Sequence, residues 1–206
     1  MGRVRGKAWM QEHVADAYVK RARAEGMRSR AAYKLEQIAG HDRLLGPGML
    51  VVDLGAAPGS WSQVAARRIA PGGRVIALDL LDMPGLAGVT FIRGDFRNLE
   101  AVEALEHALS GQKVDLVLSD LAPNLSGIAA TDQARALELA ELALDFALKH
   151  LKPRVNFLVK SCQGAAFEGF LKNLRSRFRS VAVRKPDASR SRSSEVYLLA
   201  RALREA

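Results

Sequence analysis

Val51-Val52-Asp53-Leu54-Gly55-Ala56-Ala57-Pro58-Gly59-Ser60-Trp61-Ser62 reads as a buried strand, a turn of small residues and the start of a helix. Gly55 and Gly59 permit a tight turn and a close backbone approach to a ligand, and Ser60 or Ser62 could cap the helix. Asp79 follows Gly59 by twenty residues and falls at the end of the next strand pattern, where a carboxylate can accept hydrogen bonds from ribose hydroxyls. Asp95, in Gly94-Asp95-Phe96, follows the third strand. Asp53, Asp79 and Asp95 thus stand at three successive strand ends, within reach of one ligand. A glycine pair alone would mark only a strand-to-helix turn; the carboxylates make it a candidate site. A nicotinamide dinucleotide stays open at this stage because the Asp79 spacing also suits it. Against it, the turn lacks the Gly-x-Gly-x-x-Gly pattern, and Pro58 has no N–H to offer an anion.

Outward from this stretch, short aliphatic runs alternate with longer helical patterns, the signature of a parallel sheet with crossover helices. The strands fall at Met49–Asp53, Arg74–Asp79, Val89–Arg93, Val114–Ser119, Val155–Lys160, Ser180–Arg184 and Glu195–Ala200. Helices fall at Ser60–Ile69, Arg97–Ser110, Thr131–Leu151 and Gly164–Phe178, the third with a broad apolar face and Pro153 just beyond it. Lys185 to Ser194 is a polar, basic connection that reads as a hairpin loop. The fold class is therefore α/β: a seven-stranded, mostly parallel sheet with one antiparallel strand and helices on both faces. Ligands should bind beyond the carboxyl ends of the parallel strands, near the switch in strand order.

A chain of 206 residues suits one domain: residues 1–48 as a basic helical extension, interrupted near Gly26 and Ser29, and residues 49–206 as the core. The net charge of +9 is uneven. Residues 1–34 carry nine Lys/Arg against three acids, 35–171 twelve against sixteen, and 172–206 ten against three. Basic ends around an acidic middle suit a protein that grips a phosphate backbone, although such charges can also serve only to keep a surface solvated. Arg28, Arg30 and the 185–192 loop are the candidate phosphate contacts. No secretory signal or membrane span is legible, so a cytoplasmic protein without a membrane partner is expected. Cys162 stands alone and no Cys/His cluster has zinc spacing, so neither a disulfide nor a metal is expected.

Two further positions carry chemistry. Asp120-Leu121-Ala122-Pro123 follows the apolar Val114–Leu118 run, and Lys160 ends the Val155–Val159 run, so both side chains would face the ligand crevice. Trp61 would either pack against the first helix or wall a cofactor pocket. Together with Trp9-Met10-Gln11-Glu12-His13, Arg28-Ser29-Arg30-Ala31-Ala32-Tyr33-Lys34-Leu35 and Ser191-Arg192-Ser193-Ser194-Glu195-Val196-Tyr197, this order of motifs resembles the FtsJ/RrmJ (RlmE) family of ribosomal RNA methyltransferases along nearly the whole chain.

The resemblance implies a Rossmann-like methyltransferase fold that uses S-adenosylmethionine to methylate the 2′-hydroxyl of a uridine in 23S rRNA, within the large ribosomal subunit and with no obligate protein partner. It implies a catalytic set at Lys34, Asp120, Lys160 and Glu195, and cofactor contacts at Gly59, Trp61, Asp79, Asp95 and Asp120. Two departures are visible: Ser60 replaces a usual glycine, and Ser161-Cys162 replaces a more apolar pair. Lys160 would take the hydroxyl proton, which a charged lysine cannot do; Lys34 disfavours its charged form, whereas Asp120 and Glu195 favour it. Other readings remain at this stage: methylation of transfer RNA or an mRNA cap, a non-catalytic RNA-binding assembly factor, or a nicotinamide-dependent oxidoreductase.

Overall fold

The computed structural model describes residues 16–164, 166–190 and 193–205. Its elements are α1 (Ala17–Ala24), α2 (Ala31–Asp42), β1 (Leu50–Leu54), α3 (Ser60–Ile69), β2 (Arg74–Asp79), β3 (Val89–Arg93), α4 (Leu99–Leu109), β4 (Val114–Ser119), α5 (Ala129–His150), β5 (Leu151–Cys162), α6 (Phe167–Arg177), β6 (Phe178–Arg184) and β7 (Glu195–Leu203). The Trp9–His13 motif and Ser191-Arg192 lie outside the described residues.

The strand order is β3-β2-β1-β4-β5-β7-β6. β1 to β5 run parallel, and β7 runs antiparallel to both of its neighbours, β5 and β6. The expected hairpin between the last two strands is thus present, and β7 inserts between its predecessors in the chain. The order of strands turns between β1 and β4, where the two loops leaving their carboxyl ends diverge around a crevice.

Side-chain parity splits the core into two layers, because successive residues of a strand face opposite sides of a sheet. Leu50, Val52 and Leu54 of β1, with Ile76, Leu78, Val117, Phe157 and Val159, pack under α4, α5 and α6. Val51, Val75, Ala77, Leu116, Leu118, Leu158, Tyr197 and Leu199 pack against α2 and α3. Both faces of the central strands are covered, which explains their almost unbroken apolar runs.

The helical extension breaks near the expected points. α1 ends before Gly26, which has a φ of +65°, and α2 begins two residues after Ser29. β5 begins at Leu151, directly after α5, four residues earlier than expected. Its pairing with β4 jumps from Val114↔Leu151 to Leu116↔Asn156, so Lys152, Pro153 and Arg154 bulge out of the ladder and remain exposed. Pro153, which has no N–H for a ladder, sits inside this bulge. Among the described residues no helix is long and apolar enough to cross a membrane.

The far end of α2 is tied to the edge hairpin by a buried carboxylate. Asp42 accepts from Arg184 Nε and Nη2 at 2.7 Å each, and Arg201 Nη2 binds the same carboxylate. The Arg184 hydrogen bonds outweigh burial and hold Asp42 down at about 2. Its folded value is lower than its unfolded value, so this stabilisation is present above about pH 4 and is lost as pH falls towards 2. Asp42→Asn should therefore cost about 2 kcal/mol near neutral pH, with a deficit that shrinks below pH 4. Urea unfolding at a series of pH values measures both.

Candidate active site

The loop between β1 and α3 is shaped by what its glycines allow to approach. Gly55 has a φ of +79°, and a Cβ there would sit 2.7 Å from the Leu121 backbone nitrogen. Only glycine lets the loop after β1 pass this close to the chain leaving β4. Gly59 has a φ of +98° and starts α3 as its N-cap; a Cβ there would meet Arg28 Nη1 at 2.4 Å. Neither Ser60 nor Ser62 caps the helix, because both hydroxyls are engaged elsewhere. Ser60 Oγ lies 2.7 Å from Ser29 Oγ, and Ser62 Oγ donates to Asp53 at 2.6 Å. Ser60, at the position where the resemblance leads one to expect glycine, thus bonds the start of α3 to the segment before α2.

The crevice at the switch in strand order is a cleft of about 610 Å³. Asp79, Asp95, Asp120 and Lys160 line it, with Gly55 and Ala57 from the loop and Arg135 and Glu138 from α5. Asp79 accepts from the Ala57 and Leu81 backbone N–H groups, one on each carboxylate oxygen, so it braces the loops after β1 and β2. Each oxygen keeps a second lone pair for a ligand hydroxyl. Asp95 is held by both arms of the Arg97 guanidinium, which lowers its affinity for protons.

Three sequence expectations change here. Asp53 does not reach the cleft: it shares the parity of Val51 and points under α3, fully buried, with one carboxylate oxygen on Ser62 and the other without a partner. Burial, reinforced by the charges of Asp120 and Asp79, pushes it up to about 7 despite the Ser62 hydroxyl. Gly59 and Trp61 lie behind the cleft wall. Trp61 is 2% exposed, donates its indole N–H to the Ala31 carbonyl at 2.9 Å and packs its ring 5.4 Å from that of Tyr197.

Arg28 and Arg30 are also committed internally. Arg28 donates to the Pro58 carbonyl at 2.9 Å and the Gly85 carbonyl at 2.8 Å, and Arg30 binds Asp16 and the Ala188 carbonyl. Lys185, in the basic loop, donates to the Ser193 and Glu195 carbonyls. These three cations hold chain segments together, so they are poorly placed to meet phosphates.

The four expected catalytic residues do come together. Lys160 Nζ donates to the Asp120 carbonyl at 2.7 Å and lies 3.2 Å from Asp120 Oδ1. Lys34 Nζ donates to Glu195 Oε1 at 2.5 Å and to the Tyr197 hydroxyl at 3.2 Å. Tyr197, which sequence reasoning left without a role, joins the two pairs: its hydroxyl lies 3.0 Å from both Asp120 Oδ1 and Glu195 Oε1. Register is the reason. Lys160 faces Tyr197 directly across the antiparallel β5–β7 ladder, and Glu195 shares the parity of Tyr197 two residues away. Strand alternation in Glu195-Val196-Tyr197 was the signal that could have revealed it.

Charge is balanced within this chain of groups. Burial raises Glu195, but the Lys34 charge and hydrogen bond, followed by the Lys160 charge, outweigh it and keep Glu195 below the usual glutamate range. Burial, with the neighbouring Asp120 and Glu195 carboxylates, keeps the Tyr197 phenol protonated far above its ordinary range. Tyr197 is therefore a neutral bridge between two ion pairs, Lys160–Asp120 and Lys34–Glu195.

The sheet order, the reversed seventh strand and the acid-lined cleft at the switch point define a Rossmann-like methyltransferase fold. The chain matches the model of the FtsJ-like methyltransferase family over residues 27–203 and belongs to that family. It is 61% identical over 193 residues to the ribosomal RNA large subunit methyltransferase E of Azoarcus sp., with 94% of each chain covered. The protein of the same name from Dechloromonas aromatica is 58% identical, over 96% of this chain and 97% of its own. Among solved structures, a ribosomal RNA methyltransferase of Plasmodium falciparum superposes with a TM-score of 0.74 at 26% identity, covering 85% of this chain and 98% of its own. A Streptococcus mutans methyltransferase in complex with SAH shares the fold alone, with a TM-score of 0.52 at 13% identity over 79% and 94% of the two chains.

Asp53 gives the site a measurable pH signature. Its folded value near 7 lies above the unfolded carboxylate range, so its contribution to stability is full below about pH 4 and is lost as pH rises through 7. Asp53→Asn should gain stability relative to the parent across that window and flatten the profile. Thermal unfolding from pH 4 to 8 tests this; parallel curves for the two proteins would refute it.

Proposed function

We propose that this protein transfers a methyl group from S-adenosylmethionine to the 2′-hydroxyl of a uridine in 23S rRNA, acting on the large ribosomal subunit in the cytoplasm as one methyltransferase domain. The observation that carries the reading is the hydrogen-bonded series Lys160–Asp120–Tyr197–Glu195–Lys34, which opens into an acid-lined cleft at the Lys160 end. The match to the FtsJ-like methyltransferase family supports methyl transfer over nicotinamide chemistry.

The residues present fit the cofactor. Asp79 and Asp95 offer carboxylate oxygens to ribose hydroxyls and exocyclic nitrogens, while Leu80, Leu81 and Phe96 offer apolar surface to a purine. Gly55 and Ala57 leave the wall of the cleft thin, and Asp120 sets a negative charge where a sulfonium would lie. The volume is ordinary for a ligand of this size. When bound, S-adenosylmethionine supplies the methyl group. Gly59 and Trp61 act from behind the wall, by fixing the loop and seating Tyr197.

Lys160 is the base. Its amine lines the cleft; once the ammonium has released its extra proton to solvent, the neutral amine accepts the ribose proton as the oxygen attacks, and the Asp120 carboxylate again holds the ammonium that forms. Lys34 and Glu195 are positioning residues that act through Tyr197 on Asp120. The rRNA backbone is met by the exposed Lys20 and Arg23 of α1, which packs over α2 through the Tyr18–Tyr33 contact.

The direct test is transfer of labelled methyl to large subunits, followed by nuclease mapping of the modified ribose. Lys160→Ala should lower kcat by about 100-fold or more while leaving the fold and S-adenosylmethionine affinity largely intact; retained turnover would overturn its assignment as base. Neutralising Lys20 and Arg23 together should reduce the slope of log K against log salt by about 1.5, read from RNA titrations between low and physiological salt.

A further inference from the structure

Six large hydrophobic side chains are exposed among the described residues; two of them line the cleft, and two more stand in the loop that continues from its lining residues. Leu80 and Leu81 follow Asp79 and line the cleft on the side that the proposed reading gives to the cofactor. Leu125 and Ile128 stand in the loop from β4 to α5, with exposures of 80% and 63%. They follow immediately on Leu121–Asn124, which line the cleft themselves.

This exposure is built into the loop. Asp132, in the first turn of α5, accepts hydrogen bonds from the Ser126 N–H and hydroxyl at 2.7 Å each and from the Gly127 N–H at 3.1 Å. Ile128 N–H bonds back to Ser126 Oγ at 3.2 Å, and Gly127 holds a φ of +85° that favours glycine. The Ser126 N–H and hydroxyl hold Asp132 below the ordinary carboxylate range. A carboxylate with three donors thus fixes a loop that presents two aliphatic side chains to water, apolar surface that gains from being covered by a ligand.

The charges at the rim decide what that is. Of the cations lining the cleft, Arg97 is paired with Asp95 and Lys160 with Asp120, which leaves Arg135 against Asp79 and Glu138. A rim with this balance does not recruit phosphates. The part of a nucleotide that gains from contact here is its uncharged, flat base.

We propose that Leu125 and Ile128 form an apolar lip that seats a nucleobase of the RNA at the cleft mouth, so that its ribose hydroxyl is turned towards Lys160. The proposal rests on the site being an RNA methyl-transfer centre and adds the element that grips the base. The loop serves as a fixed platform, because Asp132 holds its shape before RNA arrives.

The test is equilibrium binding, at low salt and in the presence of S-adenosylmethionine, of a uridine heptamer and of the same oligomer with its central base removed. The parent should bind the intact oligomer about tenfold more tightly, the lower end of what stacking one base contributes. In Leu125→Ser/Ile128→Ser that preference should vanish, with abasic affinity, S-adenosylmethionine affinity and melting temperature unchanged. Leu99→Ser/Val183→Ser, which removes exposed apolar surface elsewhere, should keep the preference. No preference in the parent, or an undiminished one in the first variant, overturns the proposal. So does a variant that keeps its base preference but binds large subunits more weakly, since the lip would then meet a ribosomal protein. Failure of the parent to methylate subunits would instead refute the function proposed above, and the oligomer comparison would still decide whether the lip binds a base.

Discussion

The antiparallel pairing of β5 with β7 sets Lys160 directly across from Tyr197, and most of the site follows from that register. A slip of β7 by one residue would send Glu195 and Tyr197 to the opposite face of the sheet, under α5 and α6, away from Lys34 and Lys160. Parity therefore acts as the selector: Asp79, Lys160, Glu195 and Tyr197 all face the layer that α2 and α3 cover. α2 then needs to contribute only one side chain, Lys34, to complete two ion pairs around a neutral phenol. Burying four charges this closely is tolerable because each has a partner at hydrogen-bond distance, and because the Tyr197 hydroxyl joins the pairs without adding a charge.

Close backbone approach is the second determinant. Gly55 lets the loop after β1 pass against Asp120–Leu121, and Asp79 bridges that loop to the chain leaving β2. Arg28 then reaches from the segment before α2 to the carbonyls of Pro58 and Gly85, over the space that Gly59 leaves without a side chain. The cleft is thus walled by backbone held at fixed distances, which suits a site that must place a hydroxyl oxygen in line with a methyl group.

Much of this was legible in the sequence, and the misses have physical causes. β2, β3, β4 and α3 have the expected bounds because their apolar runs end at glycine, proline or a charged residue. β5 starts early because Leu151 continues an apolar face that helix and strand share, and Pro153 was as compatible with a bulge as with a helix stop. The basic residues were the harder case. Arg28, Arg30 and Lys185 read as RNA contacts because charge is visible in a sequence, whereas their backbone carbonyl partners, up to 158 residues away for Arg30, are not. Asp53 was placed at the cleft by proximity to the loop; it faces the same layer as Asp79 but stands level with Ala77, two residues short of Asp79, where Ser62 of α3 covers it. The catalytic set came from resemblance to a family, and Tyr197 escaped notice because the pattern drew attention to charged side chains.

Lys34 and Glu195 lie 161 residues apart in the chain, and β7 threads between β5 and β6 after both have been made. During synthesis, residues 34, 120 and 160 emerge from the ribosome while the strand that aligns them is still unmade. A growing chain therefore carries the cofactor-side loops early but completes the ion-pair array only once residues 195–203 have emerged and inserted. The last strand to be made is therefore the one on which assembly of the array depends.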